Sequence, residues 1–559
     1  MRHALIYELM SPHKLRKTNL SVIETDVLVL GSGAAGLRAA AVARESGAGA
    51  LIASRSRLGL ANNTAISYSG LSLPGSGSSA DSEDVLYQDT MEAGRWINQP
   101  ALVRLLAGNI AQEVRNLQEI GVVFLTQDDG SYQTFARGGH SHPRRIATRN
   151  RIGSNLTKPL RSRAKQLGAQ VLENMFGIKI LVDDGRFRGL LLCSTGGELL
   201  LVSAKALVLA TGGGGALYQA TSNTADMIGD GYGLAFQAGA RLRDMEFIQF
   251  ILNHERSRGV PARIPPFEEF LLHGALLRNS EGKVLLSDQD PVKVTRAMWM
   301  QAVAKEISEG RDRDGCVMMD LHSLADDYRS SLLHNHARSL GQDDHFLTRN
   351  QLLFRPNAHF FMGGIRVQDD LQTDIQGVYA AGEVMGGVHG ANRLGGNALA
   401  ETLVFGALAG EKAAQWSKDM PSDKLRDANI KPLIEEMDAH IAEPGSEGDH
   451  DLQTGFDRLR GVMSRYGAVL RNRNDLLKAL DELGSLRSHF PHSPAPRASL
   501  ARLMGLKNAV CTAEIILKAA LHRRETRGAH VREDFHTEKD NWRCSFMLHN
   551  DHPRSIPVF

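Results

Sequence analysis

The fold is decided by the stretch Val27-Leu28-Val29-Leu30-Gly31-Ser32-Gly33-Ala34-Ala35-Gly36. The four apolar residues at its start have the length of a parallel strand that is buried on both faces. The glycines fit the G-x-G-x-x-G turn. The first permits a tight bend, the second lets the backbone approach a pyrophosphate, and the third lets the next helix pack closely on the strand. Residues 37–46 predict that helix, and residues 50–53 predict the following strand. The stretch therefore predicts a Rossmann-like α/β domain that binds a dinucleotide.

A second glycine-rich element lies far downstream. Val378-Tyr379-Ala380-Ala381-Gly382-Glu383 precedes His389-Gly390-Ala391-Asn392-Arg393-Leu394-Gly395-Gly396-Asn397-Ala398-Leu399. A fingerprint near the start of the chain and a glycine-rich helix start far downstream predict a large cofactor held from two sides, which favours FAD over NAD. We expect Glu383 to accept a hydrogen bond from the FAD ribose; the alternative is an exposed loop carboxylate.

Composition restricts the function classes. A chain of 559 residues with 42% hydrophobic residues predicts two to four globular domains. The net charge of +2 gives no reason to expect nucleic acid or an anionic membrane as the main partner. No apolar run approaches the ~18 residues that a transmembrane helix needs, and residues 1–20 do not resemble a secretion signal. We expect a cytoplasmic protein with a loosely ordered N-terminal arm.

The four cysteines lie far apart and form no C-x-x-C motif. This argues against an iron–sulfur cluster or a zinc site of the usual spacing within the chain, so no metal is predicted. We expect four reduced thiols. If the protein passes electrons onward, the next carrier is another protein or a diffusible acceptor.

The pattern of the chain changes several times along its length. Residues 206–210 predict a buried strand that runs into Thr211-Gly212-Gly213-Gly214-Gly215, and we interpret this glycine run as a loop facing the flavin rather than a linker. We predict an arm (1–20), an FAD-binding domain in two parts (21–246 and 354–415), an inserted α+β capping domain (247–353), a helical domain (416–520) and a C-terminal tail (521–559).

The chain resembles the flavoprotein subunits of succinate dehydrogenase and fumarate reductase, together with L-aspartate oxidase. The resemblance rests on ordered blocks over most of the chain: the Gly31 fingerprint and residues 210–213, 224–233, 244–250, 358–365, 389–399 and 524–530. The loop Arg137-Gly138-Gly139-His140-Ser141 is similar to that of aspartate oxidases. The resemblance implies an FAD-dependent oxidoreductase acting on a small molecule with a carboxylate or carbonyl.

Together, the motifs and the resemblance predict the FAD-binding residues: Gly31, Gly33, Ala34, Ala35, Gly36, Ser54, Arg55, Asn63, Thr64, Gly70, Ala210, Thr211, Gly212, Gly213, Asn223, Asp230, Gly382, Glu383, Arg393, Gly396, Asn397, Ala398 and Leu399. Ser54-Arg55 stands where many such folds place an acidic residue for a ribose hydroxyl. Asn63 stands where the respiratory enzymes carry a histidine bonded covalently to the flavin. Because asparagine cannot form that bond, we expect noncovalent FAD.

The chain also departs from the family at the substrate. Matching Val-x-Arg-Ala without gaps puts Pro291 where the family has a proton-shuttling arginine, with Asp290 as the predicted N-cap of the helix. Arg296 then matches a second family arginine. The family motif Gln-Tyr-His-Pro-Thr becomes Gln249-Phe250-Ile251-Leu252-Asn253, and the nearby family segment with further acidic and arginine contacts corresponds to residues 268–273. The polar half of the pocket is therefore more apolar, which favours a different or larger substrate.

The predicted catalytic residues are His359, Arg393 and His273. Arg393 is expected to bind a carboxylate bidentately, and His359 to donate to a carboxylate or carbonyl. The alternatives are a phosphate-neutralising or loop-supporting Arg393 and a core histidine at 359. His254 and His273 are either ordinary polar residues or replacements for the missing proton donor.

Three functions remain open. The first is an FAD-dependent dehydrogenase or reductase acting on a carbon–carbon bond next to a carbonyl or carboxylate, with succinate and fumarate not the expected substrates. The second is L-aspartate oxidase. The third is a flavoprotein subunit that works with an iron–sulfur or ferredoxin-like partner, as in adenylylsulfate reductase. A cationic stretch, Arg524, Arg527, His530 and Arg532, is either a solvated face or a docking surface for a partner.

Overall fold

The structure is a computed structural model. It describes residues 5–6, 20–68, 70–135, 139–149, 151–254, 267–289, 294–328, 351–421, 427–441, 449–489, 496–549 and 552–557. The described helices are α1 (Ala34–Glu45), α2 (Asn63–Ile66), α3 (Glu83–Ala93), α4 (Pro100–Glu119), α5 (Ile152–Gln166), α6 (Asp230–Gln237), α7 (Phe267–Leu272), α8 (Arg296–Ser308), α9 (Asn397–Asp419), α10 (Asp427–His440), α11 (Asp449–Tyr466), α12 (Arg473–His489) and α13 (Leu500–His522).

The described strands are β1 (Leu5–Ile6), β2 (Leu20–Leu30), β3 (Ala50–Ser54), β4 (Leu71–Ser72), β5 (Thr134–Phe135), β6 (Arg145–Ile146), β7 (Gln170–Glu173), β8 (Met175–Asp183), β9 (Arg186–Ser194), β10 (Leu199–Leu209), β11 (Leu242–Arg243), β12 (Ile248–His254), β13 (Leu276–Arg278), β14 (Val317–Asp320), β15 (Gln351–Phe361), β16 (Gly364–Ile365), β17 (Val378–Ala380), β18 (Leu470–Arg471), β19 (Val531–Arg532), β20 (Cys544–His549) and β21 (His552–Pro557).

A central sheet of eight strands carries the dinucleotide motif. Its main order is β7-β3-β2-β10-β9-β8, with β1 added to β2 and β17 added to β10. β2 pairs in parallel with β3 and β10, and β10 pairs in parallel with β17. Val27, Leu28 and Val29 have no exposed surface, which is why this stretch is apolar at every position. The predicted α/β fold is confirmed, and the first helix starts at Ala34, three residues earlier than predicted.

α1 packs against α9 through small residues. A Cβ on Gly406 would lie 2.6 Å from the carbonyl oxygen of Ala35, and a Cβ on Gly410 would lie 2.3 Å from that of Ala39. These distances leave no room for a side chain, so the two backbones approach closely. The contact ties the first dinucleotide helix to the helix that follows the second glycine-rich element.

A four-stranded antiparallel sheet has the order β12-β15-β14-β13. Three of its strands lie in the region predicted as the cap, and β15 crosses the predicted boundary at residue 353. Gln249 pairs with Phe360, but Phe250 pairs with Ala358. His359 is therefore the extra residue of a β-bulge in β15. Bulges re-aim side chains and often occur next to active sites.

The helix of the cap does not begin where the sequence predicted. α8 begins at Arg296, and the side chain of Thr295 caps it by accepting a hydrogen bond from the backbone N–H of Met298 at 3.3 Å. The prediction that Asp290 caps this helix is wrong, because Thr295 supplies the acceptor that the first turn needs. Asp290 and Pro291 themselves lie outside the described residues.

The C-terminal segment is packed into the protein. Arg527, His530 and Arg532 are 4%, 0% and 1% exposed, so neither a solvated face nor a docking surface describes them. Arg523, also fully buried, contacts Glu246 at 2.6 Å and Glu525 at 2.8 Å. Burial of these charges is possible because each finds partners in the fold. Arg524 alone of the predicted stretch is exposed.

Within the described residues, no helix is both long enough and apolar enough to cross a bilayer.

Candidate functional site: a cavity at the carboxyl edge of the sheet

One deep cavity, of about 2070 Å³ including its open mouth, lies where β2, β3, β10 and β17 end. Ligands bind at this edge of parallel sheets because the loops and helix N-termini meet there. Most of the predicted FAD-binding residues line it: Gly31, Gly33, Ala34, Ala35, Ser54, Arg55, Asn63, Thr64, Gly70, Ala210, Thr211, Gly212, Asn223, Asp230, Gly382, Glu383, Arg393, Gly396, Ala398 and Leu399.

Three predicted residues support the lining instead of belonging to it. A Cβ on Gly36 would lie 2.0 Å from the carbonyl oxygen of Gly31, so Gly36 permits the close packing of α1 on the turn. A Cβ on Gly213 would lie 2.1 Å from the Oε1 atom of Glu383. Asn397 is fully buried, and its Nδ2 atom donates to Thr90 Oγ1 at 3.0 Å.

Two helices begin at the cavity without a side-chain cap. Gly33 precedes α1 and Gly396, at φ +94°, precedes α9, and neither position can supply a capping oxygen. Uncapped first turns offer backbone N–H groups and a partial positive charge to an anion. Gly31 has φ +116°, and a Cβ there would lie 2.2 Å from the carbonyl oxygen of Ala210. Only glycine fits at this position, so a bound phosphate can approach the backbone closely. The cavity therefore fits the phosphates of FAD.

Asn63 is held by two contacts across the cavity. Its Nδ2 atom donates to Asn223 Oδ1 at 2.8 Å, and its Oδ1 atom accepts from the backbone N–H of Thr224 at 3.0 Å. The amide thus has both of its ends engaged in hydrogen bonds. An amide of this kind is not a nucleophile, so its position supports noncovalent binding.

Arg55 contacts Asp230 and the carbonyl oxygen of Asp226, and its guanidinium lies 4.9 Å from the ring centre of Phe176. Ser54 Oγ lies 2.6 Å from Ser32 Oγ. The second strand therefore ends in an arginine that joins two loops of the cavity, where many related folds have a carboxylate.

Glu383 is 8% exposed, so the alternative of an exposed loop carboxylate is wrong. Its Oε1 atom accepts from the backbone N–H of Phe361 at 3.0 Å. Burial, with a contribution from the Glu401 charge, raises the pKa of Glu383 to about 7. This carboxyl group faces the cavity and can change protonation near neutral pH.

Arg393 is positioned by Gln249. Its Nη2 atom donates to Gln249 Oε1 at 2.8 Å, while Gln249 Nε2 donates to the carbonyl oxygen of Arg393 at 3.1 Å. The guanidinium carbon lies 4.5 Å from the ring centre of Phe360. Arg393 is 6% exposed and lines the cavity, so its orientation is fixed before any ligand binds.

His359 also reaches the cavity, because the bulge turns it there. Its Nδ1 atom lies 2.8 Å from Ser222 Oγ. Burial, together with the charges of Arg393 and Arg296, holds the pKa of His359 well below 6.5. The imidazole is therefore neutral near pH 7, partly exposed to the cavity and available for a hydrogen bond to a ligand.

The cap contributes an apolar wall, consisting of Ile251, Leu252 and Phe267, together with Arg296. The residue that replaces the family histidine, Ile251, lies in the lining. The increased apolar character that the sequence predicted thus falls on the cavity itself.

His273 is not part of this cavity lining. It is exposed and stacks on the ring of Tyr328 with centres 3.8 Å apart. The prediction that His273 is catalytic is wrong, because this residue directly follows the last residue of α7 and its side chain is exposed, away from the cavity. His254 is buried with its ring edge-on to Phe354.

Sequence reasoning missed several functional side chains. Ser222 contacts His359, and its signal was only its place beside Asn223. Gln249 belongs to the altered family motif, but its contact with Arg393 cannot be deduced from spacing. Arg296 matches a second family arginine and not the proton-shuttling one, so the pattern offered no reason to expect it in the cavity lining, where it lies.

Comparison with known proteins identifies the class. The FAD binding domain model matches residues 26–399, and the model of the fumarate reductase flavoprotein C-terminal region matches residues 456–556. The chain is therefore an FAD-dependent oxidoreductase. It belongs to the family of fumarate reductase and succinate dehydrogenase flavoproteins.

Three similar proteins illustrate this membership. The chain is 33% identical to a subunit of the fumarate reductase (CoM/CoB) of Methanothermobacter marburgensis, over 94% of this chain and 97% of the relative. Escherichia coli quinol fumarate reductase has a TM-score of 0.86 at 26% identity, covering 96% of this chain and 97% of that one. Adenylylsulfate reductase of Archaeoglobus fulgidus has a TM-score of 0.77 at 18% identity, covering 100% and 98%, and shows the shared fold alone.

Proposed function

We propose that this protein transfers hydride between flavin N5 and a substrate carbon that lies next to a carboxylate or carbonyl, and that the substrate is neither succinate nor fumarate. The observation that carries the proposal is the pair Arg393 and His359, which line one cavity with the predicted FAD-binding residues. A fixed guanidinium and a neutral imidazole suit an anionic or strongly polar group. The wall that includes Ile251 is the reason for excluding the usual substrates.

The flavin supplies the hydride chemistry, and the protein binds and orients the substrate. Arg393, already oriented by Gln249, binds the carboxylate without the loss of side-chain entropy that a free arginine would pay. His359 donates or accepts one hydrogen bond at the same end. The apolar wall keeps water from the reacting bond, where it would compete with substrate for polar groups.

L-Aspartate oxidase activity is a second candidate. It is favoured by His140, whose Nε2 atom lies 2.6 Å from the carbonyl oxygen of Gly395, a residue of the cavity lining. Burial lowers the pKa of His140 to about 4, so this imidazole is neutral too. Arg137 and Gly138 of the same loop lie outside the described residues. An iron–sulfur or ferredoxin-like partner and a cytoplasmic location remain predictions.

The test is anaerobic bleaching of the flavin in purified protein with a panel of saturated acids, amino acids and acyl thioesters. We expect bleaching by a saturated acid or thioester and none by L-aspartate; rapid bleaching by L-aspartate would establish the second candidate instead. With a reduced low-potential dye, we expect this protein to reduce fumarate far more slowly than respiratory enzymes do. Pro291 stands where the family has its proton-shuttling arginine, and a general acid–base group contributes ~10²–10⁴-fold to the rate. Rapid fumarate reduction would refute the exclusion of fumarate.

A further inference from the structure

One face of β12 runs from the carboxylate site toward the cap. Side chains on a strand alternate between its faces, so Gln249, Ile251 and Asn253 share a face. Gln249 holds Arg393, and Ile251 and Asn253 line the cavity. Two residues along a strand cover about 7 Å. The surface next to Arg393 is therefore apolar over a short distance and becomes polar again at Asn253.

The cationic side chains Arg393 and Arg296 lie at the end of this surface that is opposite Asn253. Arg393 and Arg296 both act on the charge state of His359, and all three residues line the cavity. Two guanidinium groups beside one neutral imidazole can share a single carboxylate. This accounts for Arg296 without requiring a second anionic group on the substrate.

The far end of the substrate meets the apolar wall. Ile251 is partly exposed in the lining, with Leu252 and Phe267 packed deeper. A carboxylate placed here would lose its water and face hydrocarbon, which is unfavourable, whereas a methylene group would gain from burial. Among the described residues that line the cavity, those next to Ile251 on β12 are Leu252 and Asn253, neither of them charged.

We infer, on the basis of the proposed function, that the substrate is a monocarboxylic acid, or the acyl part of one, with a short apolar tail. The carboxylate lies at Arg393, Arg296 and His359, and the tail lies along Ile251 as far as Asn253. Affinity should therefore rise with chain length over the first few carbon atoms and then level off.

The experiment measures dissociation constants from the change in flavin absorbance when the FAD-loaded protein is titrated with linear acids. Monocarboxylates and dicarboxylates of four to eight carbons are compared at equal length. We expect about fourfold tighter binding for each added methylene until the plateau, the equivalent of burying one methylene. At each length, the dicarboxylate should bind more weakly than the monocarboxylate.

Two variants locate the effect. Ile251→Ser should flatten the dependence on chain length, with the loss of affinity growing from the shortest acid to the longest, and Ile251→Val should reduce the slope in the same direction. The matched control is Leu272→Ser, which changes an exposed leucine of the cap, 53% exposed, away from the cavity. The control should keep the wild-type slope.

The outcomes separate this inference from the proposed function. Dicarboxylates that bind as tightly as monocarboxylates, or a wild-type affinity that does not depend on chain length, would overturn the monocarboxylate inference while leaving carboxylate binding intact. If no carboxylate perturbs or bleaches the flavin, the proposed function itself fails. An unchanged slope in a folded Ile251→Ser protein would also overturn the inference, because it would place the tail elsewhere.

Discussion

Glu383 gives the cavity a dependence on pH that a single substitution removes. In the FAD-free protein its pKa is raised to about 7 from the ordinary 4.5, chiefly by burial. The folded protein therefore binds this proton more tightly than the unfolded chain does. The contribution of Glu383 to the free energy of unfolding falls as pH rises from about 4.5 to about 7, and the loss is complete above that range. The pKa difference corresponds to about 3 kcal/mol.

Glu383→Gln should remove this loss, because a neutral amide keeps the acceptor for the backbone N–H of Phe361 and never ionises. We expect the variant and the wild type to have similar melting temperatures near pH 4.5 and to diverge progressively from about pH 5 to about pH 7. By pH 8 the FAD-free variant should melt about 3 °C higher, because in a chain of 559 residues each kcal/mol corresponds to about 1 °C. The assay is thermal unfolding of both FAD-free proteins across this range of pH.

Comparing the variant with the wild type cancels the pH-dependent contributions of the histidines to stability. His359 and His530 have pKa values lowered by burial, so their contributions to stability increase as pH rises toward 6.5, but they do so in both proteins. Glu411→Gln, on the surface side of α9, is the matched control and should follow the wild type. Parallel curves for wild type and Glu383→Gln would refute the reasoning, since Glu383 would then have the same pKa in the folded and unfolded states.

Three further predictions concern the same cavity. Because Asn63 cannot bond covalently to the flavin, acid precipitation should release all yellow colour to the supernatant, and colour in the pellet would contradict noncovalent FAD. Arg393→Ala should lose substrate binding while keeping FAD, a loss on the order of 2–5 kcal/mol for a buried charge-assisted contact, and Arg393→Lys should recover only part because it lacks the fork geometry; unchanged kinetics with the physiological substrate would make Arg393 structural. Gly31→Ala should abolish FAD retention, since its Cβ would lie 2.2 Å from the backbone of Ala210, whereas Gly47→Ala, also at positive φ but with no atom within 4 Å, should cost only about 1–2 kcal/mol of stability and keep FAD.

The strand, turn and helix of the dinucleotide motif could be predicted from the sequence because their signals are local. A tight turn at Gly31 and a close approach at Gly36 can be read from neighbours in the chain, and the structure confirms the strand and helix around them. The cofactor class followed from two such local elements. Residues that line the cavity through backbone atoms need only the right loop, which motif spacing supplies.

The substrate half was harder because it depends on contacts between distant segments. The clamp of Arg393 by Gln249 joins residues 144 positions apart, and no spacing rule predicts it. His273 lies outside the cavity lining because it follows the end of α7. Arg296 lines the cavity from the first turn of α8, which Thr295 caps in place of Asp290. The bulge that turns His359 inward is a property of strand pairing, which one strand's sequence does not contain.

The burial of Asp244 against the C-terminal strand has a consequence for how the protein is made. Its carboxylate accepts from Ser545 Oγ at 2.6 Å and from the backbone N–H of Phe546 at 2.9 Å, and these residues follow it by 301 and 302 positions. During translation the N-terminal strands can pair as they leave the ribosome, but the segment leading into Gln249 lacks these partners until synthesis is nearly finished. We therefore expect the segment around Asp244 and Gln249 to reach its final packing late in synthesis. A ribosome stalled before residue 545 should hold a protein whose dinucleotide region is formed while Arg393 is not yet aligned.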